Sequence, residues 1–200
     1  MSFWDDRYSR DEYVFGEAPN AFLAAQNLLL PPSGKALAIA DGEGRNGVWL
    51  AEQGLDVVSM DASPVGLDKA KKLADKRGVS LKTHLLDIAD YDWPAERFDV
   101  VAGIFFQFAG PELRDEIFAG MIETLKPGGL LILQGYGPRQ LEYKTGGPGI
   151  LENLYTEALL AEKFAALEIL HLADEDRELA EGLTHVGRSH VVDLVGRKAG

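Results

Sequence analysis

Three observations predict an α/β domain with a mostly parallel sheet and helices on both faces. Apolar runs of strand length alternate with segments of helical period. The stretch Asp41-Gly42-Glu43-Gly44-Arg45-Asn46-Gly47 sets closely spaced glycines between the first such run and a helix, the form of a strand–loop–helix that holds a nucleotide-like ligand. The last two apolar runs have no full helix between them, which predicts an antiparallel pair at the end of the sheet.

The elements follow in order. Residues 4–15 are aromatic and charged with no clear period, and Pro19 to Leu28 reads as a helix stopped by Pro31-Pro32. Strand one is expected at 36–40 and a helix at 45–53, with Val48, Trp49 and Leu50 facing inward. Strand two, 56–60, ends at Asp61. Ser63 then caps a helix that Pro64 starts and Gly78 ends. Strand three is near 81–85, followed by Asp87. The run 98–105, broken only by Asp99 and Gly103, suits a strand buried on both faces. In 111–125, Leu113, Ile117, Met121 and Leu125 recur every fourth residue, which makes an amphipathic helix. Lys126-Pro127-Gly128-Gly129 stops it before strand five at 130–133. The Gly- and Pro-rich stretch 135–149 reads as a loop, 156–164 as a helix, and 167–172 and 190–195 as two last strands joined by a loop.

Composition narrows the partners. The 200 residues carry a net charge of −12, which opposes binding to a phosphate backbone. Lys69, Lys71, Lys72, Lys76 and Arg77 share one helix with acids and read as a solvated face rather than a basic patch. With no cysteine there is no disulfide frame, thiol nucleophile or thiolate metal site, which accords with a cytoplasmic protein. No apolar run reaches membrane-spanning length, the N-terminus does not read as a signal peptide, and no group has metal-ligand spacing.

In a parallel sheet, ligands bind at the carboxyl ends of the strands. The loops at 41–47, 61–63, 87–88 and 105–109 are therefore expected to gather at one edge. Gly42-x-Gly44-x-x-Gly47 literally matches a dinucleotide fingerprint, and Asp61 stands where a ribose needs its hydroxyls bound. A nicotinamide-dependent oxidoreductase is one reading, but such an enzyme needs a longer chain. A non-catalytic binding protein on the same fold is another.

The whole set of motifs resembles a known family. It comprises the glycine loop, the acid after strand two, Asp87 after strand three, Lys-Pro-Gly-Gly before strand five and the terminal antiparallel pair. In that order they resemble the class I S-adenosylmethionine-dependent methyltransferases. Gly-Glu-Gly-Arg-Asn, with Trp4-Asp5-Asp6-Arg7-Tyr8 and Gly16-x-x-Pro19-Asn20, is similar to the subgroup of tellurite-resistance and thiopurine methyltransferases. The resemblance implies a three-layer Rossmann-like sheet of order 3-2-1-4-5-7-6, and a single domain over residues 1–200. Residues 1–30 would then form an N-terminal lid and 135–150 a substrate-side loop.

It also implies roles. S-adenosylmethionine would be the cofactor. Gly42 and Gly44 would let the backbone approach its amino-acid end, near Asn46 and the helix N-terminus. Asp41 would meet the ammonium, and Asp61, with Ala62 and Ser63, the ribose. Asp87 and Ile88 would hold the adenine, Ile104 would floor the sulfur, and Trp4 and Arg7 would close over the cofactor. Gly47 is read as incidental. One departure stands out: the fold class carries an acid inside strand one and a glycine after it, where this chain has Ala38 and Ala40, leaving Asp41 and Glu43 as the nearest acids to substitute. The acceptor is expected to be a small molecule. A soft nucleophile (a thiol, selenium or tellurium species) needs no base; an oxygen or nitrogen nucleophile would need Tyr136, His185 or a water on Gln107. His185 reads as a residue of the loop between the last two strands, and His84 and His171 as structural.

Overall fold

A computed structural model describes residues 2–200. The elements are α1 (Phe3–Tyr8), α2 (Ala21–Ala25), β1 (Lys35–Ile39), α3 (Arg45–Glu52), β2 (Asp56–Asp61), α4 (Pro64–Arg77) and β3 (Lys82–Leu85). They continue with β4 (Phe98–Ile104), α5 (Pro111–Thr124), β5 (Leu125–Tyr136), α6 (Gln140–Tyr143), α7 (Glu157–Lys163), β6 (Leu167–Glu181) and β7 (His185–Lys198). The seven strands form one sheet in the order β3-β2-β1-β4-β5-β7-β6. β1 to β5 pair in parallel; β7 inserts antiparallel between β5 and β6. This is the order and sense the sequence led us to expect.

Alternation along each strand sorts side chains between two layers. Leu37 and Ile39 of β1 join Val101, Leu131 and Val192 under α5 and α7, packing on Ile117, Phe118 and Leu160. Ala36 and Ala38 face the other way, with Val57, Val100 and Ile132 against Phe22, Leu23 and Leu50. Ala38 thus packs in this layer beside its register partner, the buried Ser59. Local signals hold the helices as read: the Ser63 hydroxyl accepts from the Gly66 amide at 3.1 Å, and Gly78 ends α4 with φ 71°.

Several regions differ from the sequence reading: β5 runs through Lys126-Pro127-Gly128-Gly129 and spans Leu125–Tyr136, and the stretch read as a loop over 135–149 holds the short helix α6. Residues 3–8 form a helix, closed by a reciprocal cap between Ser2 and Asp5, where no period is visible because six residues are too few to show one. The helix expected over 19–28 is five residues long and continues as a 3-10 turn. The last two strands are far longer than their apolar cores: β6 and β7 pair from Leu167↔Lys198 to Glu181↔His185, joined only by residues 182–184. Their outer halves carry exposed charges, linked by pairs such as Arg188–Asp176 at 2.9 Å, and this hid the strands from an apolar count.

Candidate functional site

A cleft opens at the carboxyl ends of β1, β2 and β4 and beside the loop after β3. Asp41, Gly42, Asn46, Asp61, Ala62, Asp87, Ile88 and Ile104 line it, together with Trp4 and His185. The expected gathering of loops at one sheet edge is therefore observed.

Two carboxylates dominate its base. Asp61 ends β2; its Oδ2 accepts from the Gly42 amide and its Oδ1 from the Ser63 amide, both at 2.8 Å. Each oxygen keeps a lone pair for a ligand hydroxyl. Asp41 accepts from the Ser59 hydroxyl at 2.7 Å and from the Gly47 amide at 3.2 Å. Both carboxylates are buried. The hydrogen-bond partners are neutral, so burial wins: it pushes Asp41 up to about 7, against the Ser59 and Gly47 bonds, and the Asp61 charge raises it further while Arg45 opposes. Asp61 is raised as well, by burial first, against its amide bonds. A pair of buried acids with no salt-bridge partner suits a ligand that brings positive charge and hydroxyl donors.

The adenine-side residues are placed differently. Asp87 is exposed and caps a 3-10 turn, accepting from the Ala89 amide at 3.1 Å, while Ile88 beside it is buried. Ile104 ends β4 under the cleft. Ala40, where the fold class has glycine, holds φ 46°. Left-handed backbone costs an L-residue roughly 1–2 kcal/mol, and the loop imposes it here without glycine's help.

Five sequence-derived candidates do not line the cleft. A Cβ on Gly44 would stand 2.4 Å from the Ala70 Cβ, so this glycine lets α3 close on α4 and does not face a ligand. Ser63 is sealed between its cap and Asp5, to which its hydroxyl donates at 2.6 Å. Arg7 lies 5.4 Å from the Phe15 ring, behind Trp4. Gln107 is spent on structure: it donates to the Tyr136 and Asn153 carbonyls and accepts from the Tyr136 amide, so it has no amide hydrogen left for a water. The Tyr136 hydroxyl is buried with no partner, and burial raises its pKa. The 137–149 loop contributes nothing to the cleft lining; it packs on β7, where Gln140 accepts from the His190 amide.

Other readings are corrected. Gly47 is not incidental: a Cβ there would stand 2.4 Å from Asp41 Oδ2, so only glycine lets this helix amide reach the carboxylate. Lys69 is not a solvated lysine. It is buried, pairs with Glu43 at 2.5 Å and donates to the Arg10 and Glu12 carbonyls. Glu43 in turn accepts from the Val14 amide at 2.7 Å, so its carboxylate is committed and cannot replace the missing strand acid. His185 is not a loop residue. It opens β7, is buried, and lies in the cleft wall.

Residues to which the sequence assigned no binding role line or brace the cleft. Tyr8 stacks on Trp4 and its hydroxyl presses on Gly42, where a Cβ would lie 2.5 Å away. Phe15 and Phe105 flank His185. Arg45 pairs with Glu181 at 2.8 Å, and Asn20 ties Glu181 to Gln134. The Gly16-x-x-Pro19-Asn20 motif signalled this network, since Asn20 is its hub.

Known proteins agree with this geometry. A methyltransferase domain family matches residues 36–129. An uncharacterised methyltransferase of Synechocystis sp. is 33% identical over 122 residues, covering 60% of this chain and 55% of that protein. The tRNA 5-carboxymethoxyuridine methyltransferase of Escherichia coli K12 is 28% identical over 113 residues, covering 56% of this chain and 43% of its own. The chain therefore matches about half the length of these relatives. TehB from Haemophilus influenzae superposes with a TM-score of 0.75 at 20% identity, over 98% of this chain and 66% of TehB, a likeness of fold. Residues 36–129 thus match a methyltransferase domain, and the chain as a whole shares the fold of TehB.

Proposed function

We propose that the protein transfers a methyl group from S-adenosylmethionine to a small, soft nucleophile. The observation that carries this is the pair of buried carboxylates, Asp41 and Asp61, bonded only to neutral groups. A dinucleotide would bring a pyrophosphate against Asp41 and Asp61, an arrangement that repels it. S-adenosylmethionine brings an ammonium and a sulfonium instead. In this reading Asp41 faces the ammonium, and Asp61, with Ala62, takes the ribose hydroxyls. Asp87 and Ile88 border the adenine, and Ile104 lies under the sulfur. Trp4 and Tyr8 exclude water above.

When bound, the cofactor supplies an activated methyl on a sulfonium, whose departing electron pair returns to sulfur. The protein supplies alignment, worth up to roughly 7–11 kcal/mol in favourable systems. A soft acceptor fits because the candidate bases are unsuited: Gln107 is committed, Tyr136 does not line the cleft, and burial lowers His185 to about 4. One relative acts on tRNA; here the net charge of −12 and the acids lining the cleft argue for a small acceptor. We place the reaction in the cytoplasm on the cysteine-free composition.

Calorimetry tests this. S-adenosylhomocysteine should bind one to one and NADH should not. Asp61→Ala should weaken that binding by about 1.5–3 kcal/mol, since charge-assisted bonds are lost. Unchanged affinity in the folded variant would remove the ribose assignment.

A further inference from the structure

The end of the cleft away from Asp87 holds a polar group that the fold leaves unanswered. His185 is 8% exposed, lines the cleft, and its Nδ1 is sealed from solvent with no hydrogen-bond partner. Aromatic rings clamp it: Phe105 stands edge-on at 4.5 Å between centroids, Phe15 at 4.7 Å and Tyr136 at 5.7 Å. Phe105 adopts φ 55° to take its place there, a strained backbone of the kind that clusters at ligand sites. The turn before His185 is locked as well. Leu183 donates to the Val14 carbonyl at 2.8 Å, and Gly182 lies so close to Phe15 and Gly16 that a Cβ would collide with their backbone. The imidazole is thus held in one position in the cleft wall with a nitrogen unpaired, a state that a buried polar group rarely keeps.

The charged groups facing the ring come from three elements. Arg45 reaches it from α3 and Glu181, its ion-pair partner, from β6. Arg7 approaches from α1; its guanidinium lies 5.4 Å from the Phe15 ring, and its Nε is buried without a partner. Two cations against one anion leave the surroundings of His185 positive. Burial and Arg45, with Arg7, oppose Glu181 and keep the imidazole neutral.

We propose that His185 contacts the methyl acceptor and, with Arg7 and Arg45 beside it, selects a neutral or anionic acceptor over a cationic one. The inference rests on the methyltransferase reading. A neutral imidazole offers one N–H and one lone pair, so it hydrogen-bonds a thiolate or a hydroxyl equally well. A protonated amine would instead meet the Arg45 guanidinium in the lining with the Arg7 charge behind it, and it has no free lone pair until its proton leaves.

The test uses thiophenol and benzylamine as probes at neutral pH, on protein saturated with S-adenosylhomocysteine. Thiophenolate is followed by its ultraviolet absorbance and benzylamine by competition. We expect thiophenolate to bind at least about tenfold tighter than benzylamine, a gap of about 1.4 kcal/mol. His185→Phe should lose about tenfold in thiophenolate affinity. His185→Gln, which keeps an N–H donor, should stay within about threefold, and both should hold S-adenosylhomocysteine within about twofold of wild type. Benzylamine binding as tightly as thiophenolate to the wild-type protein would overturn the inference while leaving the cofactor reading intact, and this arm needs no variant to fold. Full thiophenolate affinity in His185→Phe, or an equal loss of S-adenosylhomocysteine, would also overturn it. A wild-type protein that binds no S-adenosylhomocysteine would overturn both.

Discussion

The two ends of the cleft are assembled in different ways. The Asp41–Asp61 end is built from strand ends and the short loops that follow them, so each group lies within a few residues of the element that aims it. Asp61 is the last residue of β2, and Gly42 and Gly47 belong to one turn of chain. The His185 end is built across the chain. Val14 bonds Leu183, Asn20 bonds Glu181, and Arg45 pairs with Glu181, joining segments at opposite ends of the sequence. The first kind of site is a property of local geometry. The second exists only once the whole sheet has closed, and it depends on anchors far from the chemistry.

The most damaging way to break that contrast is at the anchor joining the two ends. Lys69→Met should leave Glu43 buried and uncompensated and free the segment around residues 8–15, costing about 3–4 kcal/mol in urea unfolding. Lys69→Leu with Glu43→Leu should recover part of the loss; if Lys69→Met alone costs nothing, the anchor is not one.

Gly44→Val comes next. It meets Ala70 and must hold φ 87°, so about 3 kcal/mol should be lost between α3 and α4. Stability should fall before cofactor affinity does. A stable variant that merely binds less would return Gly44 to the ligand.

The pH dependence sharpens the cofactor end. Asp41 is raised from the ordinary 3.8 to about 7, so the folded protein holds this proton more tightly than the unfolded one, and the group costs stability as pH rises from about 4 to about 7. A ligand ammonium binds the ionised form. Affinity for S-adenosylhomocysteine should therefore fall by up to about tenfold for each pH unit below 7, and Asp41→Asn should flatten the profile. A wild-type profile already flat from pH 5 to 8 would separate Asp41 from the ammonium.

The smallest effect belongs to Tyr136. Its hydroxyl is buried and unpartnered, so Tyr136→Phe should change turnover by less than about twofold and raise stability by up to about 1 kcal/mol. A large loss of turnover would put Tyr136 into the reaction after all.

The same contrast explains what the sequence disclosed. The position of Asp61 at a strand end, the Ser63-Pro64 helix start and the alternation of strands with helices are written in local period and in end signals, whereas the sheet order came with the family resemblance. Gly47 was misread because its role depends on where Asp41 points. Lys69 was misread because its charge suggests water, whereas its ammonium is spent on Glu43 and the carbonyls of an N-terminal segment that lacks regular pairing. Gln107 and Tyr136 stand near the right strand ends, yet one is consumed by backbone groups and the other turned away from the cleft. The outer halves of β6 and β7 carry charge on both faces, so no apolar alternation marks them.

A crystal structure with S-adenosylhomocysteine tests the central claim most directly. The account predicts the nucleoside in this cleft, with its ribose hydroxyls on Asp61, its adenine beside Asp87 and Ile88, and its ammonium toward Asp41. A ligand bound with its ribose away from Asp61, or bound outside the cleft, would contradict it.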